Sequence, residues 1–407
     1  MDKKSVLIIG GGISGITAAV EAAEAGCKVY LIEKRPYLGG QVARMNEYFP
    51  KLCPPYCGLE INFKRIRNSS RIEVITSAEV ENLSGTAGDF TIELRLEPEY
   101  VNSSCTVCGD CSAVCPVEAK DSFNFGMSMH KAIDLPHELS YPNRFYLDDL
   151  VCQKESCKKC EEACNYDAIN LEAAPGKRKI KVGSVLFCTG WEPYDPTNLK
   201  EYSWGESPDI LNNVMMERVG APNGPTSGKI LKPSDGEPAR KIAFVQCAGS
   251  RDENHLPYCS AVCCSASLKQ AIYFTEQDPE NRADIFYIDL RVSGRNEDFL
   301  KRVEENQQIR LIKGKASEVS LLEGSPVIEA EDILSGRKIR EQYDMVVLAT
   351  GVVPCIPGLK GIELDPDGFI AKDALENGLS AGGCCFEPKD VASSVRESTG
   401  LVINALQ

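Results

Sequence analysis

Eight of the nineteen cysteines fall in two short runs. The first is Cys105-x2-Cys108-x2-Cys111-x3-Cys115, followed by Pro116, and the second is Cys152-x4-Cys157-x2-Cys160-x3-Cys164. Spacings this short let one loop wrap three thiolates around an iron–sulfur cubane. A fourth thiolate, near the start of the next helix, reaches across to a second cubane. The expected sets are Cys105, Cys108, Cys111 and Cys164 on one [4Fe–4S] cluster, and Cys152, Cys157, Cys160 and Cys115 on the other. Zinc needs only four ligands and rarely uses x2-x2-x3-Pro. The second run departs from the pattern in its x4 spacing and in Asn165, which stands in place of proline. Such clusters move single electrons, so the spacing implies a redox relay.

A second chemistry sits at the start of the chain. Ser5-Val-Leu-Ile-Ile reads as a buried strand, Gly10-Gly11-Gly12-Ile13-Ser14-Gly15 as a tight turn, and Ile16 to Ala25 as a small-residue helix stopped by Gly26. The strand Lys28-Val-Tyr-Leu-Ile ends in Glu33, eighteen residues after Gly15. This is the dinucleotide fingerprint in its full context. Gly10 makes the turn, Gly12 lets the backbone approach a pyrophosphate, and Gly15 lets helix pack on strand. The helix N-terminus offers N–H groups and a positive dipole end to phosphates, and Glu33 would accept from a ribose hydroxyl. FAD and NAD share this fingerprint. Gly39-Gly40-Gln41 and the Thr350-Gly351 turn after Met345-Val-Val-Leu favour FAD, with Ser14 and Lys34 as further contacts. Ser184-Val-Leu-Phe-Cys-Thr-Gly190 is a weaker second copy of that turn. Lys389 and Asp390 precede a helix beginning at Val391, whose N-terminus is expected at the flavin.

The second nucleotide site is rewired. Lys241 to Gln246 and Asp284 to Asp289 read as strands flanking a helix from Ala266 to Gln277. Where a second glycine fingerprint would bind NAD(P)H stands Cys247-x11-Cys259-x3-Cys263-Cys264. A third cluster, structural thiols and a redox disulfide are the open readings. Adjacent Cys263 and Cys264 do not readily pair with each other. Cys53-Pro-Pro-Tyr-Cys57 has three open readings as well: a flavin-proximal dithiol and so the candidate catalytic pair, extra ligands to the third cluster, or packing. Cys27, Cys188 and Cys355 read as packing thiols. His130, His137 and His255 form no triad, and His255 is expected in solvent.

The chain has 407 residues, a net charge of −14 and a pI near 5.0. That length suggests two or three domains, and the acidity disfavours nucleic acid and anionic membrane surfaces as direct partners. The N-terminus carries no signal pattern, and many thiols suit a reducing cytoplasm. No apolar stretch reaches the length of a membrane span.

These residues together resemble the A-subunit family of heterodisulfide reductases. Within it, the chain looks most like the A subunits of quinone-interacting membrane-bound oxidoreductase (Qmo) complexes. The resemblance is carried by Gly10–Gly15, Pro36–Gly40, Phe49–Glu60, both cysteine runs, Gln246–Arg251, Pro257–Cys264 and Pro388–Asp390. It implies non-covalent FAD and two [4Fe–4S] clusters, with a third in question. It also implies assembly with two other proteins, a sister flavo-iron–sulfur subunit plus a membrane haem subunit. Those partners would link the quinone pool to adenylylsulfate reductase from the inner face of the cell membrane. The family's C-terminal ferredoxin extension has no counterpart here, which weakens an electron-bifurcating alternative; a stand-alone NAD(P)H oxidoreductase is the other.

The expected architecture is α/β: a thioredoxin-reductase-like flavoprotein of two dinucleotide-binding domains with an inserted two-cluster ferredoxin. Residues 1–98, 173–195 and 341–407 are expected to build the FAD domain, 99–172 the insert, 196–239 a linker or docking loop, and 240–340 the degenerate second domain.

Overall fold

The computed structural model describes residues 5–405 except 50, 51, 155, 293, 373, 374, 376 and 377. Every residue of the Ser5–Ile9 strand is buried, and a strand covered on both faces belongs in mid-sheet. It pairs in parallel with Lys28–Ile32 on one side and Ser184–Phe187 on the other. Ile72–Ile75 and Leu379–Ala381 complete a five-stranded parallel sheet. The Ile13–Glu24 helix packs on the C-terminal helix Val391–Ala405. An antiparallel sheet of Ala78–Thr86, Asp89–Leu96 and Gly176–Val182 shares a core with it through Leu7, Ile92, Ile180 and Phe187.

The chain between Leu96 and Gly176 forms a separate small module. Its neck is closed by Val101 bridging Ile169, with Asn170 N–H donating to Tyr100 O at 2.9 Å. Its own core is built around Tyr100, Ile133, Leu147 and Leu171 together with cysteines of both runs.

A second five-stranded parallel sheet runs in the order Ile210–Asn212, Met345–Leu348, Lys241–Val245, Arg282–Tyr287, Ile309–Lys313. The helices Asn213–Gly220 and Cys263–Gln277 pack on each other against it. The two sheets communicate through an antiparallel ribbon, Trp191–Pro193 with Val352–Pro354.

Two expected boundaries move. Met345–Leu348 falls in the 341–407 segment expected in the FAD domain; it hydrogen-bonds instead into the second sheet, and the chain returns to the first only beyond Val352–Pro354. The segment 196–239 is not only linker, because Ile210–Asn212 is a buried strand of the second sheet and Asn213–Gly220 is a helix. Asn212 caps that helix, its side chain accepting from Met215 N–H at 3.0 Å, a favoured use of Asn. A three-residue strand flanked by Pro, Gly and Asn leaves too short a pattern to read. Among the described residues, no helix is long and apolar enough to cross a membrane.

One buried cation ties the three modules together. Arg218, of the second domain, is fully buried. Its guanidinium donates to Asn124 Oδ1 of the insert at 2.7 Å, to Arg44 O of the first domain at 3.4 Å, and to Asn223 O and Oδ1 at 2.9 Å. It lies over the Phe123 ring, 4.7 Å from the centroid. His137 stacks on the other members of this cluster, 4.7 Å from Phe123 and edge-on to Tyr37 at 5.2 Å. Burial, then the charges of Arg218 and Arg44, push its imidazole down to about 4. A depressed folded-state pKa stabilises the fold above the unfolded value, near 6.5, and that stability is lost as pH falls toward 4. We expect unfolding free energy to drop by up to about 3 kcal/mol over that window. His137→Phe, which keeps the stack, should flatten the dependence in denaturant titrations at several pH values.

Candidate functional site

A cavity of about 940 Å³ lies between the two nucleotide domains. Its first wall is the glycine turn. Gly10 has φ +107°, and a Cβ there would sit 2.2 Å from Cys188 O. A Cβ on Gly15 would sit 1.8 Å from Gly10 O, so helix and strand touch only because that atom is missing. Gly12 is different: a Cβ would meet nothing nearer than 3.9 Å, and its backbone faces the cavity beside Ile13 and Ser14 at the helix N-terminus. The three glycines thus divide into turn, open cradle and close packing, the division a pyrophosphate site needs.

Glu33 lines the cavity and is fixed by Gly11 N–H to Oε2 at 2.6 Å and Arg35 N–H to Oε1 at 2.8 Å. Burial raises its carboxyl above the usual range against those hydrogen bonds. Lys34 lines the same end, with its ammonium paired to Glu79 at 2.8 Å in solvent. Gly39 bridges Gly12, and its N–H reaches Gly11 O at 2.8 Å, so it supports the cradle without lining the cavity. Gly40 does line it, at φ +56° with its Cα side pressed on Gly12. Gln41 donates through Nε2 to Glu192 Oε2 at 2.8 Å and to Trp191 O at 3.1 Å. Its Oε1 is buried with no partner. A buried acceptor left unmatched is costly, and a ribityl or ribose hydroxyl of FAD would satisfy it.

Thr350 and Gly351 line the cavity from the second domain's side. Lys389 and Asp390 also line it, but their side chains are engaged. Lys389 pairs with Glu397 and Glu387, and Asp390 Oδ1 accepts from Ser393 N–H at 2.7 Å to start the last helix.

The far wall carries residues that sequence reasoning misses. Lys269 and Glu217 form a buried ion pair at 2.8 Å. Lys269 also donates to Glu47 O at 2.7 Å, Gln270 donates to Glu217 Oε1 at 2.7 Å, and Asn46 N–H reaches Glu217 Oε2 at 2.9 Å. Lys269, Gln270, Glu217 and Asn213 all line the cavity. The one signal that could have found them is the Lys269-Gln270 pair inside an otherwise buried helical stripe, since a buried charge needs a partner and a reason.

Cys263, at the start of its helix, lines the same cavity. Cys247, Cys259 and Cys264 stand close enough to Cys263 to act on its thiol, which burial pushes up. Of the four, Cys263 alone lines the cavity; the other three lie behind it, within electrostatic reach of its thiol. The helix begins at Cys263, three residues before the expected start, because the two adjacent cysteines form its first turn. Cys53 and Cys57 do not line the cavity. Both are exposed, Cys57 in the first turn of the Tyr56–Asn68 helix, and the cavity wall here is Tyr48 and Phe49 instead. The two prolines between them start that helix and carry the thiols outward, so the flavin-proximal reading is not supported. His255 is half-buried rather than in solvent, hydrogen-bonded to Tyr194 OH at 2.9 Å.

In the inserted module, the short helices Asp110–Val114 and Lys159–Glu162 pack together, each carrying one cysteine inward, Cys111 and Cys160. Burial pushes these thiols up to about 12 and about 11 respectively. Cys111 feels Cys105, Cys108 and Cys160, while Cys160 feels Cys152 and Cys115. Cys152 in turn feels Cys115 and Cys157. Cys115 thus stands within electrostatic reach of Cys152 and Cys160, and Cys111 within reach of Cys160, so the two runs lie side by side. Cys164 Sγ accepts from Ala168 N–H at 3.4 Å and packs in the same core. Among the described residues no three ligating side chains converge on a single-ion site; a cubane spreads its thiolates wider than one ion does.

Residues 5–69 match the family described as FAD dependent oxidoreductase. The A subunit of the H2:CoB-CoM heterodisulfide,ferredoxin reductase of Methanothermobacter marburgensis is 35% identical over 98% of this chain and 63% of that protein. The A subunit of the ferredoxin/F420H2-dependent CoB-CoM heterodisulfide reductase of Methanosarcina acetivorans is 35% identical over 99% of this chain and 53% of its own length. The chain thus spans less than two thirds of these relatives. Among solved structures, the thioredoxin reductase of T. acidophilum superposes with a TM-score of 0.54 at 14% identity, covering 99% of this chain and 98% of that one. An HOCl-induced flavoprotein disulfide reductase from Escherichia coli superposes with a TM-score of 0.51 at 14% identity, covering 100% and 71%. Over nearly its whole length, then, the chain is similar to the A subunits of heterodisulfide reductases, its first segment matches an FAD-dependent oxidoreductase family, and its fold is the thioredoxin-reductase-like one of two dinucleotide-binding domains.

Proposed function

We propose that this chain is the flavin- and iron–sulfur-bearing electron-transfer subunit of a multi-subunit oxidoreductase. The observation that carries the reading is the shared cavity: Gly12 and Gln41 at one wall, Cys263 at the other. Gly10, Gly12, Ser14, Glu33, Gly40 and Gln41 would hold FAD, and Cys247, Cys259, Cys263 and Cys264 would hold a cluster beside it. FAD would supply two-electron and one-electron exchange, and each cubane one-electron transfer. The chain's own contribution is placement. The glycine cradle presents backbone N–H groups, the buried Lys269–Glu217 pair and its hydrogen bonds fix the far wall, and the inserted module packs cysteines of both runs into one core.

The partners proposed are a sister flavo-iron–sulfur subunit plus a haem-bearing membrane subunit, passing electrons between quinone and a soluble enzyme such as adenylylsulfate reductase. A second reading, the flavin subunit of a heterodisulfide reductase, is favoured by the relatives, which are components of such enzymes. Purification of the native complex separates them: a co-purifying haem membrane subunit supports the first, its replacement by a soluble heterodisulfide-reducing subunit the second. A stand-alone NAD(P)H enzyme fits less well, since Cys247 at φ +56° occupies the turn where a second glycine fingerprint would stand.

Anaerobic purification with FAD and iron analysis tests the core of the proposal. One FAD and about twelve irons, three four-iron cubanes, are expected; FAD without iron would remove the relay. Cys160→Ser should cost one cubane, about four irons, while leaving FAD in place. Concurrent loss of FAD would show that the insert is not an independent module.

A further inference from the structure

We infer that the Arg251 guanidinium sets the reduction potential of the cluster at Cys247, Cys259, Cys263 and Cys264, as a fixed positive charge against it. The inference rests on that group holding a cluster. Arg251 lies four residues after Cys247 in a hairpin closed by its own N–H to Tyr258 O at 3.0 Å and by Leu256 N–H to Gly249 O at 2.9 Å. Both Cys247 and Arg251 adopt left-handed backbone, φ +56° each, which costs energy in any residue with a Cβ. Such strain persists where surroundings over-determine it, often at functional sites. The two strained residues bend the loop so that the arginine turns back toward the thiols.

Asp289, at the end of the neighbouring strand, fixes where the guanidinium goes. Its Oδ2 accepts from Arg251 Nη2 at 3.0 Å, and its carbonyl accepts from Cys264 Sγ at 3.7 Å. The arginine and Cys264 are thus held against one residue. Arg251 also stands against Cys247, whose thiol is raised by burial and drawn back down by that charge. Nη1 is buried without a geometrically satisfied partner, and the Cys247 thiol is the group the guanidinium leans toward, so a donor in a low-dielectric site is left under-used. A cluster sulfide or thiolate is the acceptor this chemistry calls for. Lys315, the other cation acting on Cys247, is paired with Asp252 at 2.9 Å. The Asp289 side chain is half exposed, so solvent screens it more than it screens the buried Nη1.

Reduction adds one negative charge to an already anionic centre. A nearby buried cation favours the reduced state and raises the potential. Arg251 acts through the cluster, so it is a positioning residue and its readout is a potential, not a rate. The experiment is an EPR-monitored redox titration of the intact holoprotein, with iron analysis, for wild type, Arg251→Lys, Arg251→Met and Asp289→Asn. Wild type comes first: about eight irons instead of about twelve would remove the third cluster, and the inference with it, before any variant is made. With the third cluster present, Arg251→Met should move one signal alone to more negative potential, with Arg251→Lys between. An unmoved signal at full iron content overturns the inference. If Arg251→Met loses iron, Asp289→Asn decides: it keeps the arginine and removes its counter-charge, so that signal should move positive, and no movement overturns the inference.

Discussion

Arg218→Met is expected to destabilise the folded chain by about 4 kcal/mol or more, among the largest effects of any single substitution outside the cysteines. Arg218 is fully buried, and its pKa is pushed down to about 10, chiefly by burial, so it is still charged at neutral pH. The acceptors it reaches are neutral: the Asn124 and Asn223 side chains and the carbonyls of Arg44 and Asn223. Hydrogen bonds to a charged group contribute roughly 1.5–3 kcal/mol each and are not additive. Methionine fills much of the volume but leaves buried acceptors unmatched on all three modules. Arg218→Lys should recover little, because one ammonium cannot reach acceptors spread along a planar fork. Denaturant unfolding of both variants checks this. A loss below about 1 kcal/mol, the range of an ordinary surface substitution, would mean the three modules are held elsewhere.

Lys269→Met should cost on the order of 3–5 kcal/mol, because it leaves the Glu217 carboxylate buried without its cation. Both side chains are about 5% exposed. Gln270 and Asn46 would remain as hydrogen-bond donors to Glu217, which is why the carboxylate is not wholly abandoned. The double variant Lys269→Met, Glu217→Gln removes both charges and should regain most of the loss. A double-mutant cycle by thermal or denaturant unfolding measures that coupling; additive losses would show that the pair does not act as a unit. Because both residues line the cavity, the single variant should also weaken flavin retention on gel filtration, and the double variant less so.

Two similar segments belong to different sheets, and local pattern does not separate them. Met345–Leu348 and Ser184–Phe187 are both short, apolar and buried, and both run into a Thr-Gly turn. Sequence reads them as copies of one element. Hydrogen bonding puts the first in the second sheet and the other in the first sheet. Pattern specifies that a strand is buried on both faces; it does not specify beside which strand.

The chemistry that depends on local spacing is legible in the residues alone. The glycine turn, Glu33, the short spacings within each cysteine run and the cysteine-bearing turn after Lys241–Val245 are set by backbone geometry over a few residues, where residue type and separation are sufficient. Whatever needs distant segments to meet comes from the folded chain. Cys263 faces the cavity of Gly12 and Gln41, Lys269 finds Glu217, Arg218 joins three modules, and Cys53 and Cys57 turn outward. Burial and long-range pairing, not local propensity, make those arrangements, and a one-dimensional pattern carries no record of them.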